Sequence, residues 1–127
     1  MGRVREHIRV NGKKLWTLFA AGARNTYIVP AVASLLTTSK LPKTFRSALG
    51  GKIRKATKGA VLNAQVQGHA VSAHAMVLSE IGKDEDGKPI EVLFGALAMQ
   101  QWGIRPIPDE ERLDLSHYPK DFVEFLC

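Results

Sequence analysis

The chain has 127 residues, 45% hydrophobic and 7% aromatic, with a formal net charge of +6. This composition suits one small soluble domain and excludes a disordered or fibrous chain, and no apolar run is long enough to span a bilayer. The N-terminus has charges but no apolar signal core, and the only cysteine is Cys127, so no internal disulfide can form and a reducing, cytoplasmic setting is expected.

In chain order, Val4, Ile8 and Val10 fall on one face at period two, and Asn11-Gly12 is a tight-turn dipeptide, so the chain opens on a hairpin. Leu15 to Phe19 reads as a buried strand. It ends in Ala20-Ala21-Gly22-Ala23, a run of small residues that lets another backbone come close. Arg24 to Val29 returns to strand character, and Pro30 opens a short helix over Ala31 to Leu36. Leu49-Gly50-Gly51 marks a turn, with Ala56-Thr57-Lys58-Gly59 as a rival. Strands are predicted at Ala60 to Gln67 and Ala70 to Leu78, around a hairpin turn at Gly68-His69. A polar loop follows at Asp84 to Pro89. Ile90 to Phe94 is a buried strand ending at Gly95, and Ala96 to Trp102 is a short helix stopped by Gly103. The tail past Pro108 is polar, with a last element expected at Phe122 to Leu126. The pattern is mostly β, with glycine turns and two short helices, and suits a small closed barrel.

The charge is uneven. Lys40, Lys43, Arg46, Lys52, Arg54, Lys55 and Lys58 follow one another with no acid among them, whereas Asp109, Glu110, Glu111, Asp114, Asp121 and Glu124 dominate the end. The two regions can meet within a chain or across a dimer. A solvated basic face is the plain reading of the first. Nucleic-acid binding ranks low, because no aromatic platform is interleaved with the cations.

Several chemistries are absent. His7, His69, His74 and His117 have no metal-ligand spacing, and there is no P-loop, dinucleotide fingerprint or Gly-x-Ser-x-Gly elbow. No metal and no cofactor is expected.

Leu18-Phe19-Ala20-Ala21-Gly22-Ala23 resembles the active-site signature of the retropepsin-like aspartic proteases, in which two apolar residues precede Asp, then Ser or Thr, then Gly and Ala. Val92-Leu93-Phe94-Gly95 resembles the second signature of that family. Gln65 to Val71 resembles the strand-turn-strand before it, and Ala96 to Ile104 the helix after it. The resemblance spans residues 4 to 105. It implies an acid-protease barrel of mostly β structure over residues 1–108, followed by an acidic extension over 109–127. It also implies a homodimer, because the chain carries one half-signature, and a peptide or protein as substrate.

The same resemblance places Ala20, Ala21 and Gly22 at the catalytic centre. It sets Ala23, Arg24, Asn25 and Phe94 along the bound peptide, with Leu49, Gly50 and Gly51 at the tip of a mobile flap. In the family, two aspartates meet at the dimer centre and share a proton, one serving as base toward water and one as acid toward the peptide carbonyl. Ala20 can do neither. Ala21 lacks the hydroxyl that bonds across the dimer, Arg24 stands where an acid is frequent, and Ala96 where arginine is frequent. Such a chain fits a protease silenced by substitution, or a natural pseudoprotease that binds peptides without cutting them.

Overall fold

The structure, a computed structural model, describes residues 3–127. Met1 and Gly2, part of the N-terminus read above as lacking an export signal, lie outside the described residues. Strand β1 (Arg3–Val10) turns at Asn11-Gly12 into β2 (Lys13–Ala20), both turn residues having positive φ. Then come β3 (Thr26–Ile28), helix α1 (Pro30–Ala33), β4 (Thr38–Leu49), β5 (Lys52–Val66), β6 (His69–Val77), β7 (Val92–Phe94), helix α2 (Ala96–Trp102), β8 (Arg105–Ile107) and β9 (Arg112–Asp114), with a 3-10 turn at Pro108–Glu110. Among the described residues no helix is long and apolar enough to cross a membrane.

Seven strands form one sheet in the order β1-β2-β7-β3-β6-β5-β4, and β1 also meets β5 at Arg9↔Gln65, so the sheet closes into a ring with β4 left outside. Alternation decides what each strand buries. Val4, Ile8 and Val10 of β1, Leu62, Ala64 and Val66 of β5, and Val71, Ala73 and Ala75 of β6 enter one core with Phe19, Phe94, Val32 and Met99. Inside it, Phe19 and Phe94 meet at a ring-centroid distance of 5.1 Å. A second, smaller cluster of Tyr27, Leu41, Ala56, Leu78 and Leu93 lies beneath the β4–β5 hairpin.

Four local expectations are corrected, and one segment without a predicted element is assigned. The segment Thr38 to Leu49, which carries no clear apolar period, is a strand. It sits at the end of the sheet order, where Pro42 and lysines are tolerated because one side needs no partner. The strand expected from Ala60 begins at Lys52, so Ala56 to Gly59 is mid-strand and not a turn. The β5–β6 turn is Gln67-Gly68, both with positive φ, because Val66 pairs with His69. Helix α1 ends at Ala33, and the chain continues to Leu36 in tight turns. Phe122 to Leu126 forms no regular element, having no strand to pair with.

The boundary expected after residue 108 falls inside the β8–β9 hairpin, whose register runs Arg105↔Asp114 to Ile107↔Arg112. Leu113 is buried in the main core, and Leu115 and Tyr118 pack on it. Tyr118 donates to the Ala70 carbonyl at 2.6 Å, and Trp102 to that of Ser72 at 2.7 Å. The helix ends at Gly103 in the left-handed region, and a Cβ there would collide with the His117 carbonyl. The tail through Tyr118 therefore packs on the main core.

Asp84 organises the polar loop. Its carboxylate accepts from the amides of Asp86 and Lys88, both at 2.9 Å, and from the Trp16 indole at 2.8 Å; Arg5 lies 3.2 Å away. Burial alone pushes this carboxyl up. The Lys88 amide, the Trp16 indole, the Asp86 amide and the Arg5 charge together outweigh that and hold it below the usual carboxylate value. A carboxyl lowered in the folded state stabilises the fold above its unfolded pKa of about 4, and this contribution is lost as pH falls through the lower folded value. Thermal melts of Asp84→Asn should show a lower Tm than the parent at pH 7, with the difference shrinking as pH falls below the usual carboxylate range.

Candidate active site

The geometry at the end of β2 follows from where β7 lies. It pairs in parallel with β2 (Thr17↔Val92 to Phe19↔Phe94) and antiparallel with β3 (Tyr27↔Leu93, Ile28↔Val92). The segment Ala20–Asn25 that joins β2 to β3 must therefore arch over the end of β7. It begins with a turn closed by the Ala23 amide donating to the Ala20 carbonyl at 3.1 Å.

Past the end of β7, Gly95 leads into α2. The first amides of a helix have no intrahelical acceptor. Here the arch supplies acceptors. Ala96 N–H donates to the Ala23 carbonyl at 2.7 Å and Leu97 N–H to the Arg24 carbonyl at 3.1 Å. The buried Thr26 hydroxyl accepts from Gly95 N–H at 3.1 Å. A Cβ on Gly95 would collide with the Asn25 carbonyl and lie 2.8 Å from that of Arg24. The arch and the helix start thus form one clamp, and it is the glycine that lets them touch.

The expected site residues differ in where the fold places them. Ala20 and Ala23 are half-buried and pack on the second cluster, as does Leu49 at the end of β4. Ala21 and Gly22 are exposed at the crown of the arch. Arg24 is exposed and makes no ion pair among the described residues, and Asn25 is half-buried. Gly50 and Gly51 form the exposed tip of the β4–β5 hairpin, with φ of 57° and 79°, a conformation suited to a two-residue hairpin turn. Phe94 is a correction. Its ring is fully enclosed in the main core against Phe19, so it lines no surface. Its neighbour Leu93, on the opposite face of β7, belongs to the cluster beneath the hairpin.

Other residues here were not singled out from the sequence. The Tyr27 hydroxyl and Ser47 Oγ lie 2.7 Å apart and tie the hairpin to β3. Leu41, Phe45, Met76 and Ile81 complete the apolar floor. The alternation Phe45, Ser47, Leu49 was the available signal, and the surrounding lysines masked it.

No carboxylate can come from the segment that builds this site, because no Asp or Glu occurs from His7 to Ser79. Among the described residues no three His, Cys, Asp or Glu side chains are grouped to hold a metal ion. The arrangement is a rigid arch beside a hairpin over an apolar floor, without an acid or a base in the arch.

No protein-family model matches the chain, and no curated protein is a significant relative. Solved structures do match. The retroviral protease-like domain of Ddi1 from Leishmania major superposes with a TM-score of 0.62 at 11% identity, over 91% of this chain and 90% of that one. The simian foamy virus protease gives a TM-score of 0.51 at 16% identity, over 81% of this chain and 99% of that one. The foamy viral protease-reverse transcriptase, solved with an RNA/DNA hybrid, gives 0.53 at 17% identity, over 84% of this chain but 12% of that much longer one. The likeness shows a retroviral-protease-like fold.

The clamp makes two glycines testable against each other. Gly95→Ala should lower folding stability by about 3 kcal/mol, the upper range for forcing atoms into packed space. Gly22→Ala should leave the fold of the single chain within about 0.5 kcal/mol, because nothing lies within 4 Å of a Cβ there. Chemical denaturation of both variants measures this.

Proposed function

We propose that the chain is one protomer of a two-fold dimeric aspartic endopeptidase framework in which Ala20 occupies the acid's position, so that it holds peptides without cleaving them. The observation that carries this reading is the arch of Ala20–Asn25, fixed by the start of α2 and facing the Leu49 end of a glycine-tipped hairpin. Gly22 adds support. Its φ is not positive and no atom crowds it, so nothing within one chain requires glycine there. In the proposed dimer, a second arch packed against it at the two-fold axis would supply that reason.

With an aspartate at residue 20 in each protomer, two carboxyls share one proton at the axis. The ionised one takes a proton from water as the water oxygen attacks the peptide carbonyl carbon. The protonated one donates to the carbonyl oxygen, and the C–N bond breaks as the amine nitrogen is protonated. No metal or cofactor enters. With Ala20 in place these proton transfers have no carrier, and what remains is binding of an extended peptide on the floor beneath a flap tipped by Gly50-Gly51. The cytoplasmic setting expected from the lone Cys127 belongs to the same proposal. The nucleic-acid reading stays last. The RNA/DNA hybrid belongs to the foamy viral protein, of which this chain matches a small part.

The decisive comparison is Ala20→Asp against the parent on a broad peptide library, with a watch for self-cleavage. Ala20→Asp should gain at least roughly 100-fold in cleavage, the low end of what general acid–base groups supply. Its rate should fall on both sides of an optimum, be blocked by a transition-state mimic of aspartic proteases, and be insensitive to chelators and thiol reagents. Sedimentation should show a dimer for both chains. A folded dimer of Ala20→Asp that cuts nothing from acid to neutral pH would favour the peptide-binding pseudoprotease. Monomer at all concentrations would remove the dimeric framework.

Hydrogen exchange tests the flap separately. Amides near Leu49 to Gly51 should exchange fastest within the ring of strands and its hairpin in the free chain, and slow when peptide is bound. Equal exchange with and without peptide would remove the flap assignment.

A further inference from the structure

Two surfaces of this chain lack partners, and their chemistry is opposite. The β4–β5 hairpin carries Lys40, Lys43, Arg46, Lys52, Lys55 and Lys58, all exposed. Its register sets Lys40 directly across from Lys58 and Arg46 directly across from Lys55, pairs that repel. Among the described residues the only ion pair on the hairpin is Arg54 with Glu80, at 3.0 Å. Strand β4 is the last in the sheet order and is paired on one side, so the backbone groups along its other side are open to a further strand. Side chains alternate there. Phe45, Ser47 and Leu49 are half-buried, with Phe45 and Leu49 packed on the small cluster, while Arg46 and Ala48 are exposed.

The other surface is the C-terminal segment. Phe122, Val123, Phe125 and Leu126 are 65%, 77%, 82% and 103% exposed, a density of bare apolar side chains that marks an interaction site. Asp121 stands before them and Glu124 among them. The segment has no regular structure.

We propose that the C-terminal segment of one copy docks as an added strand along the open edge of β4 in a second copy. This goes beyond the reading of the arch, and it shares with that reading the apolar floor beneath the hairpin. The alternation matches. An extended Asp121–Leu126 places Val123 and Phe125, with Asp121 ahead of them, on one face and Glu124, between Phe122 and Leu126, on the other. With Val123 and Phe125 turned to the side of Phe45 and Leu49, Glu124 falls on the side of Arg46 and Lys55. Edge amides gain acceptors, bare apolar groups gain neighbours, and a repelling cation pair gains an anion.

Reach puts the contact between copies and not within one. Phe122 rests edge-on against Trp102 at 6.0 Å, and Trp102 is bonded to Ser72, which pairs with Asn63 of β5. From Asn63 back to Lys55, β5 runs ~26 Å at ~3.3 Å per residue. Glu124 extends only ~7 Å beyond Phe122. A tail held at Trp102 is thereby directed to a second copy in preference to its own hairpin.

Cys127 provides the probe, since it is the lone cysteine and is exposed. A photo-crosslinker on Cys127, in a mixture of isotope-labelled and unlabelled full chains, should give interchain links to Thr38–Lys58. Links confined to one chain, or to other surfaces, overturn the proposal. In parallel, a fluorescein-labelled peptide of residues 119–126 should bind the full chain, with affinity falling as salt rises. Arg46→Glu in the chain should weaken it about fivefold, near the upper range for an exposed ion pair, and Glu124→Lys in the peptide should restore it. Unchanged affinity in Arg46→Glu, or no restoration, overturns the pairing. Occupancy of the hairpin by a single-stranded oligonucleotide that the peptide cannot displace overturns it as well.

Discussion

Everything at the candidate site depends on one close approach, that of Gly95 to the backbone of Asn25 and Arg24. Because β7 is flanked by β2 on one side and β3 on the other, the joining segment has to cross its end, and it crosses where a side chain would not fit. The helix start then finds its acceptors in that segment instead of in a capping side chain. A segment that has no regular secondary structure of its own is thereby held as firmly as a strand. This is the kind of support that placed functional groups need from the backbone beneath them.

The support does not depend on the chemistry it could carry. Each bond of the clamp uses a backbone group or the Thr26 hydroxyl, and none uses the side chain of residue 20. An alanine at that position leaves the arch, the apolar floor and the hairpin in place. A frame of this kind can keep its shape while its reactive group is changed, which is why fold and activity have to be argued separately.

Charge is distributed along the same lines. Acids gather in the Asp84–Asp86 loop and after Asp109. The loop acids are met by Arg3 and Arg5, and Arg112 pairs with Glu110. The hairpin cations have no such answer beyond Glu80. The two regions of opposite charge noted in the sequence do not meet within the described chain, because Phe122 rests on Trp102 of α2 and Tyr118 is bonded to Ala70 at the start of β6. That leaves the hairpin's charge directed outward, where a partner can use it.

By itself the sequence determined the parts whose causes are local. Asn11-Gly12 turns because both residues tolerate positive φ, and Gly103 ends α2 for the same reason. Small residues after Phe19 and an apolar run closing on Gly95 were enough to mark the two halves of the clamp and their order. The tertiary structure decided what depends on partners far along the chain. It turned Phe94 into the core and Leu93 toward the hairpin, since only the position of β7 between two strands fixes which face is which. It made a strand of Thr38–Leu49 by pairing it with β5, against a weak apolar pattern. It packed the tail through Tyr118 onto the core, through a backbone carbonyl of Ala70 that no side-chain pattern advertises. A sequence displays turns and periodicity, but a backbone acceptor is the same at every residue, and only the fold chooses which of them is used.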